Sequence, residues 1–235
     1  MGVVKKGLLA VFVVLLLVGA YGAYVVSYPK YPEVKGCVNP FAVVKPVSKV
    51  QENWSGVHVF LKLATSRDFW KLAKPWDVDY SHVKVVKHTI EYNGEKITML
   101  AMGIPLKDGK HVIALYEFSK PVQGVKIRGY LLELQRDDSK IKTIAMITNG
   151  KYTPAGNCPH ECNSNNDCGE FAGCTPYCCK TNYWKAIECC ASSCSYTCIR
   201  HPKECIPCII VSCPWCLIDS CEQWGSKCVD WGDMP

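Results

Sequence analysis

The sequence predicts an α+β protein: an N-terminal signal or anchor helix, an antiparallel β-meander domain, and a small disulfide-rich, partly helical C-terminal domain. Three observations support this fold class. An uncharged apolar run lies at the amino terminus, strand-like segments recur through the middle, and sixteen of the 17 cysteines fall between Cys158 and Cys228. These sixteen make up about 23% of that stretch, whereas roughly 8–10% already marks a disulfide scaffold.

Residues 1–29 have the pattern of a signal peptide or a signal-anchor transmembrane helix. Lys5 and Lys6 precede an uncharged run that ends at Pro29, and about 20 apolar residues suffice to cross a bilayer. Flanking lysines stay on the cytoplasmic side, so we expect the rest of the chain outside, either anchored by a single pass or secreted after cleavage. Small residues at Ala20-Tyr-Gly22 favour cleavage, and Tyr24-Val-Val26 favours an anchor.

Two proline-containing segments predict breaks between domains. Residues 30–52 carry Pro32, Pro40 and Pro46 and predict an extended spacer. Residues 153–157 combine proline, glycine and small residues, which is typical of a flexible linker open to proteases.

Residues 53–152, between these breaks, predict an antiparallel β domain with one short helix. Asn93-Gly94 separates two strand-like segments, and this pair is a strong hairpin signal because both residues tolerate a positive φ. Further turns are expected at 107–110 and 136–139, which gives a five-stranded meander packed on one face and solvated on the other. Ser66 can cap a helix over 66–73.

This β domain shows no catalytic pattern, and we expect no enzyme, cofactor or metal. The histidines occur singly, and neither an HExxH motif nor a phosphate-binding glycine loop is present. His82 and His88 could hold a metal only if the fold brought them together by accident. The basic surface would suit nucleic acid, but an extracytoplasmic location makes nucleic-acid binding an unfavoured alternative. Asn53-Trp-Ser55 matches a glycosylation sequon, and Cys37 stands apart from the other cysteines.

Residues 158–235 predict a disulfide-rich domain, loop-rich over 158–182 and helical over 183–230. Asn, Gly and Pro fill the first of these segments, so cross-links would replace an apolar core there. In the second, cysteines four residues apart line one stripe of a helix. The cysteines expected to form disulfides are Cys158, Cys162, Cys168, Cys174, Cys178, Cys179, Cys189, Cys190, Cys194, Cys198, Cys205, Cys208, Cys213, Cys216, Cys221 and Cys228. Their connectivity cannot be deduced from spacing.

Two CxxC pairs leave sharper alternatives open. Cys205–Cys208 and Cys213–Cys216 would suit a zinc or iron–sulfur site, but they lie closer together than the pairs of common zinc modules, and an oxidising exterior disfavours thiolate ligands. Cys213-Pro-Trp-Cys216 is similar to a dithiol redox motif, yet only 19 residues follow it, too few to complete a thioredoxin-type fold.

The cysteine ladder from Cys190 to Cys228 resembles that of archaeal precursors of the halocin C-eight type. The shared features are a membrane-targeting segment, a polar middle domain and a cysteine-rich, apolar C-terminal peptide. The resemblance implies an antimicrobial peptide that is released from a longer precursor whose amino-terminal part confers self-immunity. That family carries a twin-arginine export signal, whereas this sequence has Lys5-Lys6.

Charge divides the chain at the same place. Residues 1–155 carry 22 Lys and Arg against 12 Asp and Glu, a net charge of +10, and residues 156–235 carry 5 against 9, a net charge of −4. Opposite charges would let the β domain dock on the cysteine-rich domain at low salt. We therefore expect an exported precursor of a membrane-active, bacteriocin-like antimicrobial peptide, with the β domain as an immunity or chaperone partner. The alternative is a membrane-anchored cell-surface structural or adhesion protein with a non-catalytic disulfide-rich module.

Overall fold

One antiparallel sheet of nine strands runs through residues 39–135, 139–170 and 172–230, the part of the chain that the computed structural model describes. The strands are β1 (Lys45–Gln51), β2 (Lys84–Tyr92), β3 (Glu95–Pro105), β4 (His111–Val122), β5 (Val125–Gln135), β6 (Lys140–Thr148), β7 (Lys151–Pro154), β8 (Ala172–Asn182) and β9 (Cys221–Asp230). Their order is β1-β2-β3-β4-β5-β6-β8-β9, and β7 also pairs with β6. The five-stranded meander predicted from the sequence is β2 to β6 and is confirmed.

Turn and cap residues act as the sequence predicts. Asn93 and Gly94 have φ angles of 51° and 79° in the turn between β2 and β3. The Ser66 hydroxyl accepts a hydrogen bond from the Phe69 N–H at 3.3 Å and caps α3. The helices are α1 (Pro40–Val43), α2 (Gly56–Ala64), α3 (Arg67–Leu72), α4 (Tyr183–Cys189), α5 (Ala191–Arg200), α6 (Pro202–Ser212) and α7 (Pro214–Asp219). The predicted β domain thus holds a second helix, α2, which Ser55 caps.

Helices α2 and α3 cover one face of the sheet. Their buried apolar residues recur at helical spacing, so they point to the same side. They form one core with alternate residues of the central strands, which point to the same face. This core contains Val59, Leu63, Phe69 and Leu72 from the helices and Val85, Met102, Ile104, Ile113, Leu115, Ala145 and Ile147 from the strands.

The second face of the sheet is covered as well, so the prediction of a solvated face is wrong. In β4 all residues from Val112 to Tyr116 are buried, although successive side chains of a strand point to opposite faces. Helix α6 of the cysteine-rich part lies against β2, β3 and β4 on this second face. The sequence of β4 is apolar on both sides for this reason, as in other strands that are buried on both faces.

The segments predicted as spacer and linker belong partly to the sheet. From residue 39 onward the spacer contains α1 and β1, and β1 pairs with β2. The linker begins within β7, and the next residue, Ala155, is 1% exposed. Its N–H donates to the Ile144 carbonyl at 2.9 Å, and its carbonyl accepts from the Tyr177 hydroxyl at 2.6 Å. Gly156 and Asn157, which follow it, are exposed.

The cysteine-rich part contains strands where the sequence predicts loops and helix. β8 lies in the segment predicted to be loop-rich, and β9 in the segment predicted to be helical. Cys213 and Cys221 are eight residues apart, as on one helix face, but Cys221 begins β9. Strand β9 pairs with β8 over most of its length, with Cys174 opposite Cys228. This backbone pairing outweighs a cysteine spacing that suits a helix.

The predicted N-terminal helix, 1–29, lies outside the described residues. Within residues 39–135, 139–170 and 172–230, no helix is both long enough and apolar enough to cross a membrane.

The close approach of α6 to the sheet depends on Gly103 in β3, which has no side chain. A Cβ added at Gly103 would lie 2.6 Å from the carbonyl oxygen and 2.8 Å from the Cα of Pro207 in α6. Because both atoms belong to the backbone, Gly103→Ala should displace the helix and lower the free energy of unfolding by about 1–3 kcal/mol. Guanidinium unfolding measures this loss. Gly169→Ala, which places a Cβ in open space, is the control, and an equal loss in both variants would contradict the predicted clash.

Candidate functional site: an apolar helix covered by the sheet

All sixteen cysteines between residues 158 and 228 form disulfides. The pairs are Cys158–Cys179, Cys162–Cys174, Cys168–Cys228, Cys178–Cys221, Cys189–Cys216, Cys190–Cys213, Cys194–Cys208 and Cys198–Cys205. The disulfide-bonded, cysteine-rich character predicted from the sequence is confirmed. Eight disulfides are consistent with an extracellular location, since such bonds persist in oxidising compartments.

Neither CxxC pair closes on itself, which removes the redox and metal alternatives at these positions. Cys213 is bonded to Cys190 and Cys216 to Cys189, whereas a dithiol motif would join the two cysteines of the pair. Cys205 and Cys208 are likewise bonded to residues of α5. The sulfurs of Cys162, Cys168 and Cys228 lie within 4.8 Å of one another, but disulfide bonds engage all three and leave no thiolate for a metal.

Residues 183–220, which we call the helical hairpin, fold as two cross-linked arms with α6 at their centre. The first arm contains α4 and α5, and the second contains α6 and α7. Four disulfides join the arms in a nested ladder with sequence separations of 27, 23, 14 and 7 residues. Closing such loops contributes roughly 2–4 kcal/mol each. The stripe of cysteines predicted from their spacing of four therefore faces the second arm.

Helix α6 is buried almost all round. Every residue from Cys205 to Val211 is buried, and Ile209 and Ile210 have no exposed surface. Full burial of one such side chain is worth about 1.5–3 kcal/mol relative to exposure. A helix of this composition is unstable in water by itself, because it has no polar side to face the solvent.

The sheet binds the carbonyl end of α6 through side chains of its second face. The Tyr116 hydroxyl donates to the Ile210 carbonyl at 3.2 Å, and His88 Nε2 donates to the Val211 carbonyl at 2.6 Å. The last carbonyls of a helix have no partner within the helix. These two strand residues therefore satisfy carbonyls that would otherwise be buried without a hydrogen bond.

Lysines contact α6 at both of its ends. Lys84 Nζ of β2 forms a salt bridge of 2.5 Å with Glu204 in the first turn, and Lys49 Nζ of β1 donates to the Ser212 carbonyl at 3.0 Å. A carboxylate near the amino end and a cation near the carboxyl end both suit the helix dipole. The part of α6 between these two lysines is apolar, so the charged contacts lie only at the rim of the interface between α6 and the sheet.

An aromatic residue of α1, near the start of the described chain, also contacts this interface between the helical hairpin and the sheet. The Phe41 ring of α1 packs edge-on against Tyr116, with centroids 4.8 Å apart. Its carbonyl accepts a hydrogen bond from Trp215 Nε1 of α7 at 3.3 Å. The segment predicted as a spacer thus helps to hold the helical hairpin on the sheet.

Ser81, His82 and Asp79 lie together in a turn before β2, but their geometry differs from that of a catalytic triad. His82 Nδ1 contacts the Asp79 carboxylate at 2.7 Å and the Ser81 hydroxyl at 3.2 Å, while that hydroxyl donates to Asp79 at 2.5 Å. A triad needs the hydroxyl at Nε2, on the other side of the ring. His88, the other histidine considered for a metal, engages α6 instead.

Arg128 is a buried cation that the sequence pattern does not reveal. It lies in β5, opposite Tyr116 in the sheet register, and is 1% exposed. Its Nε and Nη1 atoms, and the hydroxyl of the neighbouring Thr148, have no hydrogen-bond partner among the described residues. Burial lowers the pKa of this guanidinium, but arginine keeps its charge in proteins. In the sequence it has the appearance of an ordinary surface cation.

Asn53 is exposed in the loop between β1 and α2, and its glycosylation stays a prediction. Comparisons with protein-family models, curated proteins and solved structures find no match to this chain.

The contact between His88 and α6 should depend on pH. Burial lowers the pKa of His88, and the charge of Lys49 adds to this, although the hydrogen bond to Val211 opposes it. The folded state therefore binds this proton less tightly than the unfolded state, so stability should fall as the pH drops through about 6.5. We expect His88→Gln, which keeps a donor without the titration, to lose less stability than the wild type between about pH 7.5 and pH 5.

The carboxyl of Asp219 works in the opposite direction in both proteins, because burial raises its pKa to about 6 and protonation then favours the folded state. The comparison of Tm against pH for the two proteins isolates His88. Parallel curves would show that His88 does not titrate against α6.

Proposed function

We propose that this chain is the exported precursor of a disulfide-stapled, membrane-active antimicrobial peptide, whose β domain covers the active part until release. One observation carries the proposal. All eight disulfides lie within residues 158–228, and none reaches the preceding described residues 39–157. A cut at the exposed Gly156 would therefore leave only non-covalent contacts between the two parts.

The covered helix supplies the chemistry of the released part. Once α6 leaves the sheet, its isoleucines need another apolar environment, and the boundary of a bilayer offers one. The opposite side of the helical hairpin already exposes Tyr196 and Ile199 of α5, at 72% and 78%. A compact body with apolar residues on two sides and cystines in its interior is suited to contact lipid without unfolding.

The β domain suits the role of an intramolecular immunity or chaperone partner. It supplies the close approach at Gly103, the two hydrogen bonds from His88 and Tyr116, and the salt bridge from Lys84, and β1 before it adds the contact from Lys49. Because the centre of this contact is apolar, we expect the cleaved parts to stay together even at about 1 M salt, where the Debye length is about 3 Å. Docking by net charge alone would be lost under that condition.

A membrane-anchored surface protein is the second candidate, and the buried Ala155 favours it. The chain before Gly156 is tied to the sheet through β7, and the Tyr177 hydroxyl bonds across the boundary. A second feature also suits attachment to a surface: Trp70 of α3 and Trp76 of the following turn, 43% and 55% exposed, lie with their rings 5.2 Å apart. Under this function the disulfides serve durability alone, as in an adhesion module that does no chemistry.

Cleavage of the full chain tests the proposal. A protease recognition sequence inserted between Gly156 and Asn157 allows the oxidised protein to be cut in solution. We expect the uncut protein to leave dye-filled anionic vesicles intact, the cut protein to release the dye, and added β domain to suppress that release. Non-reducing gel filtration in low and high salt follows the association of the parts. Because the parts should stay together in solution, the β domain is expected to leave only on contact with the vesicles, and a cut protein that leaves the vesicles intact would favour the surface-protein function.

A further inference from the structure

The eight disulfides divide into two sets that share no cysteine and do not interlock along the chain. Four of them join cysteines between residues 189 and 216, all within the helical hairpin. The other four join the loop before β8 to the strands β8 and β9, or join those strands to each other. No disulfide connects one set with the other. The disulfides therefore cross-link the hairpin within itself and cross-link the segments on either side of it separately.

The two ends of the helical hairpin meet. The Asn182 N–H donates to the Ser220 carbonyl at 2.8 Å, and Thr181 pairs with Cys221 in the sheet register. The hairpin is therefore an insertion at the end of a two-stranded ribbon formed by β8 and β9. Adjacent termini are typical of units that tolerate insertion into another fold, because the host chain continues undisturbed.

The ribbon itself belongs to the body of the sheet. Residues 180–182 of β8 pair with residues 140–142 of β6. Tyr177, Cys179 and Val229 of the ribbon share a core cluster with Met146 of β6. These contacts are independent of α6. The ribbon can therefore stay bound to the β domain through these contacts when the helical hairpin leaves.

We infer that residues 183–220 form a separately folded effector module, and that the cystine-bonded ribbon on either side of it is part of the holder. This inference rests on the proposed function and makes it narrower, since it assigns the contact with the bilayer to 38 residues and four disulfides. Lys185, Arg200 and Lys203 balance Glu188, Glu204 and Asp219 in this module. The acidic excess of the cysteine-rich part lies in the sequence on either side of the module, which suits segments that stay in water.

Two further junctions in the full chain make the module separable. Protease recognition sequences are inserted between Thr181 and Asn182 and between Ser220 and Cys221, so that Asn182 still caps α4. Variants with one of these sites are matched controls, because one cut leaves the hairpin attached. The variant cut between Gly156 and Asn157 provides the longer fragment for comparison. All proteins are oxidised before cleavage and are separated without reductant.

We expect the double cut, and neither single cut, to free fragment 182–220 on exposure to anionic vesicles. The freed fragment should retain its four disulfide pairs by mass spectrometry and its helical circular dichroism in detergent. It should release vesicle dye as the protein cut after Gly156 does, while the ribbon of the doubly cut protein remains with the β domain through gel filtration.

The outcomes separate the module from the proposed function. Loss of the helical signal in the freed fragment, or dye release by the longer fragment alone, would overturn the module and leave the proposed function intact. A helical fragment with native pairing would support the module as a folding unit even if neither fragment released dye, and that second result would overturn the proposed function.

Discussion

The burial of α6 between the sheet and its disulfide-bonded partner arm is the contact on which the rest of this structure depends. A helix that is apolar over Cys205–Val211 cannot face water, so the second face of the sheet must match it. That requirement explains why β4 is apolar on both sides and why β3 has no side chain at Gly103. It also explains why His88 is buried, since a buried helix end needs donors for its carbonyls.

The electrostatics of the molecule act at the margins of this contact. The whole-chain charge division suggests attraction between two oppositely charged bodies, yet the two residues that contact the ends of α6 by charge are Lys49 and Lys84. The partly exposed Lys84–Glu204 ion pair contributes little net stability, and Lys49 donates to a neutral backbone carbonyl. The positions of both lysines follow the helix dipole. They therefore favour one orientation of α6 on the strands and contribute little to the strength of the contact.

Local signals in the sequence predicted the parts of the fold that local physics determines. Asn93-Gly94 gave a hairpin because positive φ is a property of those residues, and Ser66 gave a helix start because its hydroxyl satisfies a free N–H. The cysteine stripe of α5 gave a helix face toward a partner. The cover on the second face could not be predicted, because it requires β3 and α6, about a hundred residues apart, to meet at Gly103 and Pro207. Strand β9 was missed for a related reason: its polar sequence forms a strand only because β8 is beside it.

Each of the two cystine sets is closed, which reduces the number of pairings that oxidative folding has to distinguish. Sixteen cysteines in one pool allow about two million pairings, whereas each closed set of eight allows about 105. If the chain emerges from its amino terminus, the last cysteine of the inner set, Cys216, arrives before Cys221 and Cys228, which complete the outer set. All eight cysteines of the inner ladder are then present before the outer set is complete, so its four pairs can form without waiting for the end of the chain.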